Sequence, residues 1–225
     1  MSQRVVYFNG QFVAERDAKI SIFDSALQMG DMAYEVTRTI RHKPYRLRDH
    51  IVRLRHSMQA LSIDPQLSDD ALEQITLDVL ARNLPTESAD VDWNIVHDVS
   101  RGPVAAFRSA FTNEELRPTV VVACFPITDK MASLAPAYDT GIDLVVPEQR
   151  SLPNSLLNTG LKCRSRVHFQ LANLQAEAKQ RGATAVLLDP EGFITEGTSG
   201  NVFLVKHGEL RTPTTRNILP GVTRG

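Results

Sequence analysis

An α+β protein of two domains, the first built on a small antiparallel sheet, is what the sequence predicts, and three observations carry that expectation. Asn9-Gly10 lies inside the strand-like run Tyr7–Val13, the signal of a two-residue hairpin whose turn needs positive φ. Helical spacing at Ile51, Leu54, Met58 and Leu61 is followed by two β-rich runs, 92–100 and 119–125. The pattern then breaks at Pro126–Lys130 and a small-residue stretch to Ala137, after which strand and helix signals resume.

Composition narrows the class of function. The 225 residues are 42% hydrophobic and 23% charged with 12 Gly and 12 Pro, the make-up of a globular chain. Twenty-five Lys+Arg against 26 Asp+Glu leave a formal charge of -1, so no long-range field draws the chain to nucleic acid or an anionic membrane. No window reaches the length of an apolar bilayer span and the N-terminus carries no apolar signal core, so a cytoplasmic protein is expected. Cys124 and Cys163 lack metal-ligand spacing, no metal is expected, and Cys124 reads as core.

Taken in order, the hairpin is followed by the turn Met29-Gly30-Asp31 and by Tyr34–Ile40, which alternates as a half-buried strand does. Its expected partner is Pro44–Leu47, across His42-Lys43. A helix is expected from Asp49, and Ser68-Asp69-Asp70 caps a second one bearing Leu72, Ile75, Val79 and Leu80. Residues 1–126 thus form the small domain, 127–136 the interdomain linker and 137–225 the large domain. In the latter, Ile142–Val146 reads as a strand and 165–181 as a helix with Val167, Leu171, Leu174 and Ala178 on one face. Strands near 184–188 and 201–205 follow.

Three segments carry chemistry. Glu196-Gly197-Thr198-Ser199-Gly200-Asn201 sets two glycines, two hydroxyls and a carboxylate between strands, either a loop presenting backbone N–H groups or a polar hairpin turn. Leu219-Pro220-Gly221-Val222-Thr223 looks like the entry to a helix, where N–H donors favour a phosphate. Lys162, Arg164 and Arg166 lead into the 165–181 helix, where the macrodipole disfavours cations and an anionic partner is expected. The same clustering would lower the Lys162 pKa, as an amine nucleophile requires, although a solvated basic turn is the commoner fate.

The spacing Glu196-x-Thr198-x-x-Asn201-Val202-Phe203, then Leu210-x-Thr212, then Leu219-x-Gly221-Val222-x-Arg224 resembles the signature of the class IV aminotransferases. Asn9-Gly10, Gly30-Asp31, Tyr34-Glu35, His50-Ile51-x-Arg53-Leu54 and Lys162 extend the resemblance over nearly the whole chain. It implies the two-domain fold type IV of pyridoxal 5'-phosphate (PLP) enzymes, with a β-barrel-like large domain, the site between domains, and a homodimer.

It also implies roles. Lys162 resembles the Schiff-base lysine that moves a proton between the substrate α-carbon and the cofactor. Glu196 matches the acid facing the pyridine nitrogen, and Arg53 the phosphate arginine, a bidentate task that lysine does poorly. Thr198, Ser199, Gly200, Val222 and Thr223 would complete the cofactor site. Tyr34 resembles the substrate-side aromatic, with a core tyrosine as the rival reading. The histidines other than His50, namely His42, His56, His97, His168 and His207, read as surface or locally hydrogen-bonded groups.

Two departures bear on substrate. D-amino acid aminotransferases trap the substrate carboxylate with an Arg and a His after an Arg-Gly pair, where this chain has Ala106 and Arg108; branched-chain enzymes use a Tyr-x-Arg, where it has Asn94 and Val96. Arg108 is the surviving candidate. The chain also stops at Gly225, just after the signature, so it is expected to be C-terminally truncated relative to the family. The resemblance implies transamination between an amino acid (branched-chain or D-) or an amine and a 2-keto acid. The alternatives are an aminodeoxychorismate lyase-like reaction or a non-catalytic fragment.

Overall fold

The computed structural model describes residues 4–113 and 115–225. It opens with β1 (Val5–Phe8) and β2 (Gln11–Ala14), paired antiparallel from Val5↔Ala14 to Phe8↔Gln11. Asn9 and Gly10 at the tip both take positive φ, 49° and 97°, which is why Asn-Gly stands there. A short helix α1 (Ser25–Met29), capped by the Asp24 carboxylate on the Ala26 N–H, leads into β3 (Met32–Ile40). β3 turns back through β4 (Lys43–Pro44), pairing Thr39↔Pro44. The turn is therefore Arg41-His42, both at positive φ, rather than His42-Lys43, and the chain enters a helix by Leu47.

Two helices follow, α2 (Leu47–Ala60) and α3 (Asp69–Asn83), the second capped by the Ser68 hydroxyl as expected. The chain returns through β5 (Trp93–Ser100) and β6 (Thr119–Pro126) to complete an antiparallel sheet in the order β2-β1-β6-β5-β3-β4. One core cluster joins α2 and α3 to a sheet face: Ile51, Leu54 and Met58 meet Leu72 and Val79, and all pack on Trp93, Ile95, Val99, Val122 and Cys124. Burial pushes the Cys124 thiol up to about 12, as befits a core cysteine.

The alternation of β3 is real, but its more completely buried set is the polar one. Glu35, Thr37 and Thr39 are fully buried on the helix-facing side, while Ile40 is exposed. His97, opposite Glu35 in the β3–β5 register, is buried with them rather than at the surface. Its Nε2 meets Thr76 Oγ1 at 2.7 Å.

The expected linker 127–136 is largely helical, in α4 (Thr128–Leu134), followed by α5 (Ala137–Thr140). Two compact units emerge: one runs to Ser133 and includes Lys162–Ser165, the other comprises Leu134–Leu161 and Arg166–Gly225. Lys162, expected in the large domain, thus belongs to the first unit. The reason is backbone pairing: Tyr34 N–H donates to Lys162 O and Arg164 N–H to Met32 O, both at 2.9 Å, with a bridge Ala33↔Cys163 between them.

The second unit contains β7 (Leu144–Val145), α6 (Val167–Lys179), β8 (Thr184–Leu188) and β9 (Ile194–Gly197), the strands forming a sheet in the order β7-β8-β9. A hairpin of β10 (Leu204–Lys206) and β11 (Glu209–Arg211) follows. α6 packs through Ala172 and Ala176 against Ala185 and Leu187. The expected face of Val167, Leu171 and Leu174 is exposed instead, because small residues let the helix lie close to the sheet.

Candidate functional site

In the first unit, α2 organises the site through one stripe. His50, Arg53 and Ser57 are three and four residues apart, so they share a face, and each meets a different partner. Arg53 donates from Nε to Glu35 Oε1 at 2.6 Å and from Nη2 to Oε2 at 2.9 Å. His50 Nδ1 lies 2.8 Å from the same Oε2. Burial pushes the Glu35 carboxyl up, but the hydrogen bonds from His50 and Arg53 and the charges of Arg53 and Lys162 outweigh it, holding the group below the ordinary carboxylate value. Glu35 is therefore an anion, and His50 Nδ1 carries the proton between them.

Ser57 fixes the lysine. Its hydroxyl donates to Arg53 O and accepts from Lys162 N–H, both at 3.1 Å, while Lys162 O is taken by Tyr34 N–H. The Lys162 backbone is held at both ends, between helix and strand, and its Nζ rests 4.6 Å from the centroid of the buried Tyr34 ring. Tyr34 is thus both a core tyrosine and the aromatic beside the lysine.

Arg164 lies over the same ring, Cζ at 4.0 Å. Its Nε and Nη2 donate to Asp98 at 2.8 and 3.1 Å, and Asp98 stands opposite Tyr34 in the strand register. Burial pushes the Asp98 carboxyl up, only partly offset by Arg164. This is the anion that the basic 162–166 run required; farther along, Arg166 donates to Thr198 O.

Arg108 is not brought to this cluster by any contact of its side chain. It sits exposed in the 3₁₀ segment Ala105–Ala110, and among the described residues its guanidinium makes no hydrogen bond or ion pair.

In the second unit, Glu196 is buried in β9, bridged to Asn201 across the Thr198-Ser199 tip, with Gly197 N–H donating to Gly200 O at 2.8 Å. Thr198 is buried and its hydroxyl donates to Asn173 Oδ1 of α6, whereas Ser199 and Gly200 are exposed. Leu219 is clamped to this hairpin from both sides: its N–H donates to both Glu196 oxygens at 3.3 Å, and its C=O accepts from Asn201 Nδ2 at 3.0 Å. The clamp leaves no room at Gly221, where a Cβ would lie 2.2 Å from Asn201 Oδ1. Val222 and Thr223 follow in a turn closed onto Gly221 O by Arg224 N–H and Gly225 N–H, the second spanning four residues as in the first turn of a helix.

Sequence reasoning placed Tyr34, Arg53 and Lys162, which the structure brings together, and Glu196 with the 219–223 turn, which it also brings together. It missed Glu35, His50, Ser57 and Asp98 as working parts. The signal for two of these was present in the His50, Arg53, Ser57 stripe.

No group of three or more His, Cys, Asp or Glu suited to a metal occurs among the described residues, and no helix among them is long and apolar enough to cross a membrane.

The putative branched-chain-amino-acid aminotransferase of Methanocaldococcus jannaschii is 33% identical over 220 residues, which cover 97% of this chain and 72% of that protein. The crystal structure of the Escherichia coli branched-chain amino acid aminotransferase matches with TM-score 0.82 at 26% identity, over 99% of this chain and 72% of that one. The branched-chain amino acid aminotransferase of Thermobaculum terrenum, in its PLP form, shares the fold with TM-score 0.81 at 22% identity, over 99% and 71% of the two chains. The family profile described as amino-transferase class IV matches residues 32–225, and on that match together with the M. jannaschii relative this chain belongs to the class IV aminotransferases.

Proposed function

We propose that this chain is a PLP-dependent aminotransferase that moves an amino group between an amino acid and a 2-keto acid, with Lys162 as the working amine. The observation that carries the reading is the fixation of Lys162: its backbone is held by Ser57 and Tyr34, and its Nζ is set on an aromatic ring. The residues suit the cofactor part by part. An amine matches its aldehyde, and an arginine already squared by Glu35 matches its phosphate. A buried carboxylate at Glu196 matches a ring nitrogen that must keep its proton.

When bound, PLP supplies an electron sink for the charge that develops at the substrate α-carbon. The chain does the rest. Lys162 Nζ takes a proton from that carbon and returns it, a task that needs a base held in place rather than one on a mobile stem. In the first unit Arg53 would hold the phosphate and Tyr34 would wall the substrate side; in the second, Glu196 would keep the proton on the ring nitrogen and the Val222–Thr223 turn would offer N–H groups to an anion. The names of the relatives favour branched-chain donors and their keto acids, while Asn94 and Val96 stand where branched-chain enzymes carry their carboxylate trap.

Borohydride reduction of the PLP-loaded protein, followed by peptide mapping, tests the reading. The pyridoxyl group is expected on Lys162, and finding it on Lys179 or Lys206 overturns the assignment. Donor alone should accumulate pyridoxamine phosphate; pyruvate release without it would mark the lyase reaction.

A further inference from the structure

Lys162 and Arg164 are two residues apart on backbone paired antiparallel with the start of β3, so their side chains project to the same side. Both cationic heads lie on one ring, that of Tyr34, at 4.6 and 4.0 Å from its centroid, which confines them to within the length of a small substrate. Arg164 is pinned in two directions, its Cζ over the ring and its Nε and Nη2 against Asp98. Yet its side chain is 39% exposed, and Nη1 makes no hydrogen bond among the described residues. A half-exposed guanidinium held rigidly with its Nη1 group to spare is built to receive an anion, because the entropy of ordering it is already spent.

We propose that Arg164 receives the carboxylate of the amino-acid substrate, with Asp98 and Tyr34 as its positioning residues. The identity of the anion rests on the transaminase reading: an amino acid carries its carboxylate one carbon from the nitrogen exchanged beside Lys162. A distal carboxylate, as in glutamate, has the same chemistry and a longer reach. Arg108 lacks both supports, since it is exposed on a 3₁₀ turn with no group among the described residues fixing its guanidinium.

The test uses the full PLP-loaded chain and its Arg164→Gln, Arg164→Lys and Arg108→Ala variants, each with 2-aminobutyrate, glutamate and sec-butylamine as donors. In Arg164→Gln the ratio of kcat/KM for amino acid over amine should fall at least tenfold, carried by KM, with part recovered in Arg164→Lys. A fall confined to glutamate would place the distal carboxylate at Arg164. An unchanged ratio in Arg164→Gln, or a tenfold fall in Arg108→Ala alone, overturns the proposal. Calorimetric titration with 2-methylbutyrate gives a readout independent of turnover: Kd should weaken about tenfold in Arg164→Gln, and equal affinity for the two proteins also overturns it. If the carboxylate binds through Arg164 but no donor reacts, the transaminase reading falls and this site stands.

Discussion

Glu35 and Arg53 meet through a two-point ion pair, 2.6 and 2.9 Å, that reaches from the inward face of β3 to the inward face of α2 with the carboxylate fully buried. A buried carboxylate in this position costs solvation that the guanidinium and His50 do most to offset, so neither member tolerates loss of the other. Glu35→Gln should therefore destabilise the protein by about 3–5 kcal/mol, the cost typical of stranding one partner of a buried pair. Urea unfolding of Glu35→Gln, Arg53→Met and the double variant gives the coupling. The double variant should be less damaged than the two single losses combined, and strict additivity would show that the pair is not a unit.

On the proposed function the same pair orients the phosphate anchor, which yields a second expectation. Glu35→Gln leaves Arg53 charged but unsquared, so PLP affinity should weaken about tenfold while an Arg53→Lys protein, keeping charge without the fork, loses at least as much. Fluorescence titration of PLP on the apo-protein measures both. Retained affinity in Arg53→Lys would reduce the arginine to a point charge.

Gly221 offers a cycle confined to the second unit. A Cβ there would collide with Asn201 Oδ1, the tip of a side chain whose amide holds Leu219 O. Gly221→Ala must push Asn201 away and forfeit that hydrogen bond, a loss of about 1 kcal/mol before any displacement of the Val222–Thr223 turn. In an Asn201→Ala background the obstruction is gone, so the added substitution should cost less. Thermal melts of the four proteins would show this, and an undiminished cost would mean that something other than Asn201 enforces the glycine.

Glu196→Gln should separate rate from binding. The amide oxygen can still accept from Leu219 N–H, so the turn stays attached, but the side chain loses the charge that, on the proposed function, would hold a ring proton. Turnover is expected to fall on the order of a hundredfold, with PLP affinity changed far less. Equal losses in both would make Glu196 an anchor.

What the sequence made legible were features with a local cause. The Asn9-Gly10 turn, the Ser68 cap and the helical stripe of Ile51, Leu54 and Met58 each follow from a few adjacent residues, and each formed where expected. The strand 34–40 was legible as alternation, but a period of two does not say which face is inward. The deciding fact was that Arg53 and His50 of α2 could satisfy Glu35 there. The seating of Lys162–Arg164 beside β3 joins segments about 130 residues apart and leaves no periodic trace. The turn after β3 was expected one residue too late, at His42-Lys43, because Arg41 is not a usual carrier of positive φ.

His97 gives the molecule an acid limit. It is wholly buried, its Nε2 is engaged by Thr76, and its Nδ1 has no hydrogen-bond partner among the described residues. Because the Thr76 hydroxyl donates to Leu72 O, it accepts from His97, so the proton sits on Nε2 and a second one would enter at a site with nothing to receive it. Burial pushes the imidazole down to about 4; the Glu35 charge opposes this and His50 adds to it. The unfolded chain takes up a proton near the ordinary value of 6.5 while the folded one does not, so this contribution is whole above pH 6.5 and is lost as pH falls toward 4. Over that window it amounts to about 3 kcal/mol, at 1.36 kcal/mol per unit. Glu35, held below its ordinary value, withdraws its own contribution only at still lower pH, after its unfolded form begins to protonate. Urea unfolding between pH 7 and pH 4.5 should therefore show stability falling with acid, and His97→Gln, which cannot titrate, should flatten that slope whatever its stability at pH 7. A slope that is identical in the two proteins would place the acid sensitivity elsewhere.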